Sequence, residues 1–239
     1  MADLDLWIIG DPGGAVGGLA ATLGTIGRQD YLRVNDLDQM VTMVLQRLGP
    51  SNRIRSLQIT DHGYSYHTAE DQKKGVAGHG LQAVGKTEIY SWDAGGNTVG
   101  PSKLAQVLAP LRPRFAPGAT VMLEGCTVGQ ADRLLAAVSA ALGGVPVSGG
   151  SNYQRPTIPG IEGYIRTCVA LPGAAPSCSI TREASAAGRA GYWIDENVTT
   201  TVIDGVRTGF DKASKLVVHV LEEVGRSQIE AAKYGMVPF

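Results

Sequence analysis

Two short stretches bring together residue types that can form and break covalent bonds. Ile54-Arg-Ser-Leu-Gln-Ile-Thr-Asp-His-Gly63 is an aliphatic, β-branched run that leads straight into His62-Gly63, and Ala119-Thr-Val-Met-Leu-Glu-Gly-Cys126 leads in the same way into Gly125-Cys126. A thiolate is a strong nucleophile, and a neighbouring imidazole can draw the proton from the thiol and later return it to a leaving group. Glycine at 63 and 125 lets backbone approach a substrate closely. The backbone N–H groups of Gly63 and Cys126 are therefore candidate donors to an oxyanion formed when the thiolate attacks a carbonyl.

These residues need elements that carry them to one place. Apolar β-rich runs alternate with helical periodicities, which predicts a mostly parallel sheet flanked by helices, a three-layer α/β sandwich. Strands are expected over residues 4–9, 31–34, 54–60, 87–91, 120–124, 145–148 and 164–171. Helices are expected over 37–48, 102–111, directly after Cys126, and over 211–232. In open α/β sheets, ligands bind at the carboxyl ends of the strands. If the strands ending at Thr60 and Glu124 are parallel neighbours, His62 and Cys126 leave the same edge. A helix starting at Cys126 would add its positive N-terminal end to the sulfur.

A strand ending in His-Gly, followed later by a strand ending in a small residue plus Cys, resembles the caspase-like (clan CD) cysteine peptidases. The likeness is greatest to bacterial domains whose second strand ends in Gly-Cys, and it covers about residues 4–171. The resemblance implies Cys126 as nucleophile, His62 as base and acid, Gly63 in the oxyanion site, and a protein or peptide substrate with no metal or organic cofactor. It also implies that an activating partner or cleavage is needed in some members. Gly125 stands where active peptidases of this class more often carry Ala, Ser or Asp. Substrate selection in the class uses a charged side chain, for which Asp61, Asp93, Glu124 and Arg155 are the candidates here. Asp61 and Glu124 beside the dyad favour a basic residue in the substrate.

Composition narrows the alternatives. The 239 residues are enough for one sizeable core, so the chain is read as a single domain, 1–239. With 21 basic against 22 acidic residues and no basic stripe, nucleic acid is not the expected partner. The acidic start Met1-Ala-Asp-Leu-Asp5 and the short apolar run after it predict neither a signal peptide nor a membrane span. Three cysteines, Cys126, Cys168 and Cys178, are not a disulfide framework, and a reducing, cytoplasmic setting is the expectation. A Cys168–Cys178 bridge would go with export, and packing is the expected role of that pair otherwise.

Two further readings compete. His62, His67 and Glu70 match no zinc spacing, and His79 and His219 are read as ordinary histidines. Gly13, Ala15 and Gly18 only approach a dinucleotide-binding pattern, so a Rossmann-like nucleotide binder ranks below a non-enzymatic scaffold of the same fold in which Cys126 is merely packed. The long stretch between Thr60 and Ser102 has one short strand signal and is expected to be functional loop.

Overall fold

The computed structural model describes residues 2–10, 31–93, 98–151, 164–171 and 174–182. Alternating aliphatic residues lay out the central strands: β1 (Asp3–Ile9), β2 (Tyr31–Arg33), β3 (Arg53–Thr60), β7 (Phe115–Glu124), β8 (Val147–Gly150), β9 (Ile165–Val169) and β10 (Ser177–Arg182). They form one seven-stranded sheet in the order β10-β9-β8-β7-β3-β1-β2. β2, β1, β3, β7 and β8 run parallel, and β9 and β10 run antiparallel to their neighbours. The α/β class and the mostly parallel sheet expected from the sequence are therefore present.

Three helices pack on one face of this sheet: α1 (Leu37–Leu48), α3 (Pro101–Val107) and α4 (Asp132–Ala141). α1 occupies the range its periodicity predicts. Asp36 caps it by accepting from the Gln39 amide, and Gly49 ends it with φ near +58°. Leu37, Met40, Val44 and Leu48 are inward, meeting Leu6 and Ile8 of β1 and Leu57 of β3 in the main core. The opposite face of β1 presents Trp7 and Ile9, with Tyr31 packed against them. A third layer is not seen among the described residues, and the helix expected over 211–232 lies outside them.

The long stretch between Thr60 and Ser102, in which the sequence marks one strand at 87–91, holds a second sheet to which that strand belongs. β4 (Gly63–Ser65), β5 (Gly80–Val84) and β6 (Thr87–Tyr90) form an antiparallel unit in the order β4-β5-β6. Between β4 and β5 lies the short helix α2 (Ala69–Lys73), whose Thr68 and Asp71 form a capping box. Asp93 receives the Ser102 amide and hydroxyl at 3.2 and 2.8 Å, serving the start of α3, where Gly100 has no side chain to do so.

The expected helix after Cys126 is delayed. Thr127 has φ near +58°, outside the right-handed helical range, and caps a single 3-10 turn, Val128–Gln130, before α4 begins at Asp132. The helix dipole acts within about the first turn, so α4 is too far along the chain to aim its N-terminus at Cys126 as expected. Among the described residues no helix is long and apolar enough to cross a membrane.

Candidate active site

β3 and β7 are adjacent, parallel and in register, with Thr60 opposite Glu124. The two chains therefore leave the sheet side by side, and two residues further on stand His62 and Cys126. They remain in contact past the sheet. A Cβ placed on Gly63 would lie 2.7 Å from the Gly125 Cα, a distance real Cβ atoms do not reach. Only two glycines permit this approach. The structure thus brings the His62-Gly63 and Gly125-Cys126 segments together, with His62 exposed and Cys126 half-buried.

Cys126 is fixed from both sides by β4. On one side, Gly125 packs on Gly63. On the other, the Thr127 hydroxyl oxygen accepts from the Ser65 amide at 3.1 Å and from the Ser65 hydroxyl at 3.0 Å. A β-branched residue at positive φ is an outlier that costs roughly 1–2 kcal/mol. The Ser65 bonds, made where Ser65 is fully buried and Thr127 nearly so, offset that cost. Strain of this kind gathers where a backbone must present a side chain in one particular way.

The hairpin behind His62 is anchored by a buried carboxylate. Asp61 is 4% exposed, and its oxygens accept the His62 amide at 2.7 Å and the Gly85 amide at 2.6 Å. The Ala83 amide donates to the His62 carbonyl at 2.7 Å, which ties β5 to the same residue. Asp61 is thus a structural anchor, which corrects its candidacy as a substrate-binding residue: burial and backbone amides occupy the carboxylate that a substrate would need. Glu124 is half-buried and accepts from the Thr60 hydroxyl, whose oxygen in turn accepts the Trp7 indole N–H at 2.7 Å. Asp93 serves the start of α3, and Arg155 lies outside the described residues, as does the glycine run 13–18.

Gln82 is the residue sequence reasoning missed. It sits on β5 opposite Gly63 and is fully buried. Its amide nitrogen donates to the Ala83 carbonyl at 3.0 Å, and its Oε1, with no hydrogen-bond partner, faces Gly125, where a Cβ would come within 2.3 Å of it. No periodic signal marks a lone polar residue turned inward. His67 bonds Ser65 through Nδ1, at 2.9 Å to the hydroxyl and 3.1 Å to the carbonyl. Among the described residues no group of three or more His, Cys, Asp or Glu side chains is placed to hold a metal ion.

The outward side of the small sheet carries aromatic rings. Tyr64 meets Tyr66 at 5.2 Å between centroids, and Trp92 joins Tyr66, Tyr90 and His79 at 5.6, 4.8 and 5.3 Å. Burial, and then the Arg133 guanidinium, hold His79 below its ordinary value. The Glu88 carboxylate, by accepting the Tyr90 hydroxyl, pushes that phenol up to about 12.

Cys168 and Cys178, directly opposite in the β9–β10 pairing, are joined as a disulfide, and Cys126 stands outside it. Compared with known protein families, curated proteins and solved structures, the chain matches none of them.

Proposed function

We propose that the chain is a cysteine-dependent hydrolase, an endopeptidase of caspase-like fold, with Cys126 as nucleophile and His62 as its acid and base. One observation carries the reading: His62-Gly63 and Gly125-Cys126 extend from neighbouring parallel strands and stay packed glycine on glycine beyond the sheet edge. The order of the two motifs, the parallel strands beneath them and the small antiparallel sheet between them support the caspase-like assignment.

The reaction is acyl transfer. Cys126 Sγ, as thiolate, bonds to the scissile carbonyl carbon, and the carbonyl electrons move onto oxygen, where the Gly63 and Cys126 amides are the candidate donors. The C–N bond breaks as His62 hands its proton to the departing amine. Water, losing a proton to His62, then cleaves the thioester and releases the acid. With Asp61 engaged as an anchor, Glu124 is the remaining acidic candidate beside the dyad for choosing a basic substrate residue. The Cys168–Cys178 bridge favours an oxidising compartment over the cytoplasm, where thiols are kept reduced.

The scaffold reading, in which Cys126 is only packed, draws on Gly125 at the position where active members more often carry Ala, Ser or Asp. The deciding measurement is the pH dependence of iodoacetamide alkylation at Cys126, by mass spectrometry, in the wild type and in His62→Ala. Rapid alkylation near neutral pH that His62→Ala slows supports the dyad and leads to a peptide-substrate library. A folded protein whose Cys126 titrates like an ordinary thiol in both forms leaves the scaffold reading in its place.

A further inference from the structure

The geometry points to Thr127 and Ser65 as positioning residues for the Cys126 nucleophile, a role that rests on the dyad reading. Three observations converge. Thr127 is the one non-glycine residue among the described residues with positive φ, and it directly follows Cys126. Its hydroxyl oxygen receives two hydrogen bonds, both from Ser65. Ser65 lies two residues after Gly63, on the same short strand whose first residue packs against Gly125. Cys126 is therefore bracketed by two contacts, Gly63 with Gly125 and Ser65 with Thr127, and both come from the segment that begins at His62.

The direction of the hydrogen bonds follows from what each group can donate. The Ser65 carbonyl can only accept, so the His67 Nδ1 that bonds it carries the proton. The same Nδ1–H also faces the Ser65 hydroxyl oxygen, which leaves the Ser65 hydroxyl hydrogen for Thr127. His67, Ser65 and Thr127 thus form a chain running in one sense toward the turn that carries the thiol. Both acceptor positions of the Thr127 oxygen are filled, so the side chain cannot rotate without breaking two bonds. The left-handed turn is held by side-chain chemistry, and with it the direction in which the Cys126 backbone presents its sulfur relative to His62.

Thr127→Gly separates positioning from folding. Glycine accepts positive φ without strain, so the variant keeps the fold while losing the oxygen that Ser65 holds. The expected result is a cooperative unfolding transition near the wild-type melting temperature, the relieved strain offsetting the two lost Ser65 bonds, with Cys126 alkylation slower at neutral pH and its pH midpoint moved toward that of an ordinary thiol. Once the midpoint lies above the working pH, each further unit of rise reduces the thiolate fraction about tenfold. Thr127→Ser, which restores the acceptor, is expected to return the wild-type profile, and Ser65→Ala to shift it in the same direction as Thr127→Gly. A reactive wild type with an unchanged profile in Thr127→Gly overturns the positioning role while leaving the dyad intact. An ordinary thiol profile in the wild type, unmoved by His62→Ala, overturns both.

Discussion

Gly63 and Gly125 lie backbone against backbone at the point where two parallel strands leave the sheet, with no room for a methyl group on either. An added Cβ on Gly63 would also meet a Val128 methyl at 2.7 Å, and one on Gly125 would meet the Gln82 amide oxygen at 2.3 Å. Gly63→Ala is therefore expected to destabilise the protein by about 1–3 kcal/mol through overpacking. The readout is a lower urea midpoint with an unchanged slope, together with slower Cys126 alkylation. Gly125→Ala is expected to have the same steric consequence, since its Cβ would lie 2.7 Å from the Gly63 Cα. A wild-type midpoint in both variants would mean that the two segments do not touch.

Beneath the site, β1, β3 and β7 are tied by side chains as well as by backbone. Trp7 donates to Thr60, and Thr60 donates to Glu124. Thr60 is 1% exposed, so Thr60→Val removes, within a buried setting, the acceptor that the indole uses and the donor that the carboxylate uses. The expected cost is about 1–3 kcal/mol, with Thr60→Ser recovering most of it. Tryptophan fluorescence and a urea titration read both effects. Equal stability of the valine variant would show that the chain of bonds adds nothing.

The parts of this fold that were legible in the sequence are those that bury aliphatic residues with a regular period. β1, β3 and α1 fall where their apolar patterns place them, because one face of each is pressed into the same core. The approach of the segments that carry His62 and Cys126 was also legible, since each follows a strand that the pattern marks. Of the small sheet, β6 (Thr87–Tyr90) falls within the strand expected over 87–91, and its Ile89 and the Val84 of β5 reach the main core. β4 and the start of β5 were not legible: Gly63, Ser65 and Gln82 turn inward while Tyr64 is exposed. A strand that turns small and polar residues inward reads as loop. The delayed start of α4 had the same origin: nothing in Cys-Thr-Val-Gly announces a left-handed threonine, whose conformation depends on Ser65, 62 positions earlier.

The small sheet is expected to carry an acid sensitivity of its own. Burial and the Arg133 guanidinium favour neutral His79 in the folded protein, below its ordinary value of 6.5. An unfolded chain takes up the proton near that ordinary value while the folded one resists it, so stability is full above it and declines as the pH falls toward the lowered folded value. Urea midpoints at pH 7.5 and at pH 5, values spanning roughly that window, are expected to differ more in the wild type than in His79→Gln. Identical pH losses in the two proteins would place the sensitivity elsewhere.

The bridge between Cys168 and Cys178 can be tested apart from any activity. Of the 3 cysteines in the chain, the two on β9 and β10 are joined and Cys126 is not. Alkylation in denaturant without reductant is expected to add one label, at Cys126, and after reduction three, one for each cysteine. The bridge closes a loop with a sequence separation of 10 and, by restricting the unfolded chain, is expected to contribute about 2–3 kcal/mol. Reduced wild type and a Cys168→Ala/Cys178→Ala double variant should then melt at the same lower temperature, while Cys126 keeps its alkylation profile, because the bridge lies on strands β9 and β10 and not at the β3 and β7 ends that lead to His62 and Cys126. Three labels on the unreduced protein would show that the pair exists as thiols, and would return the chain to the reducing compartment that its cysteine content first suggested.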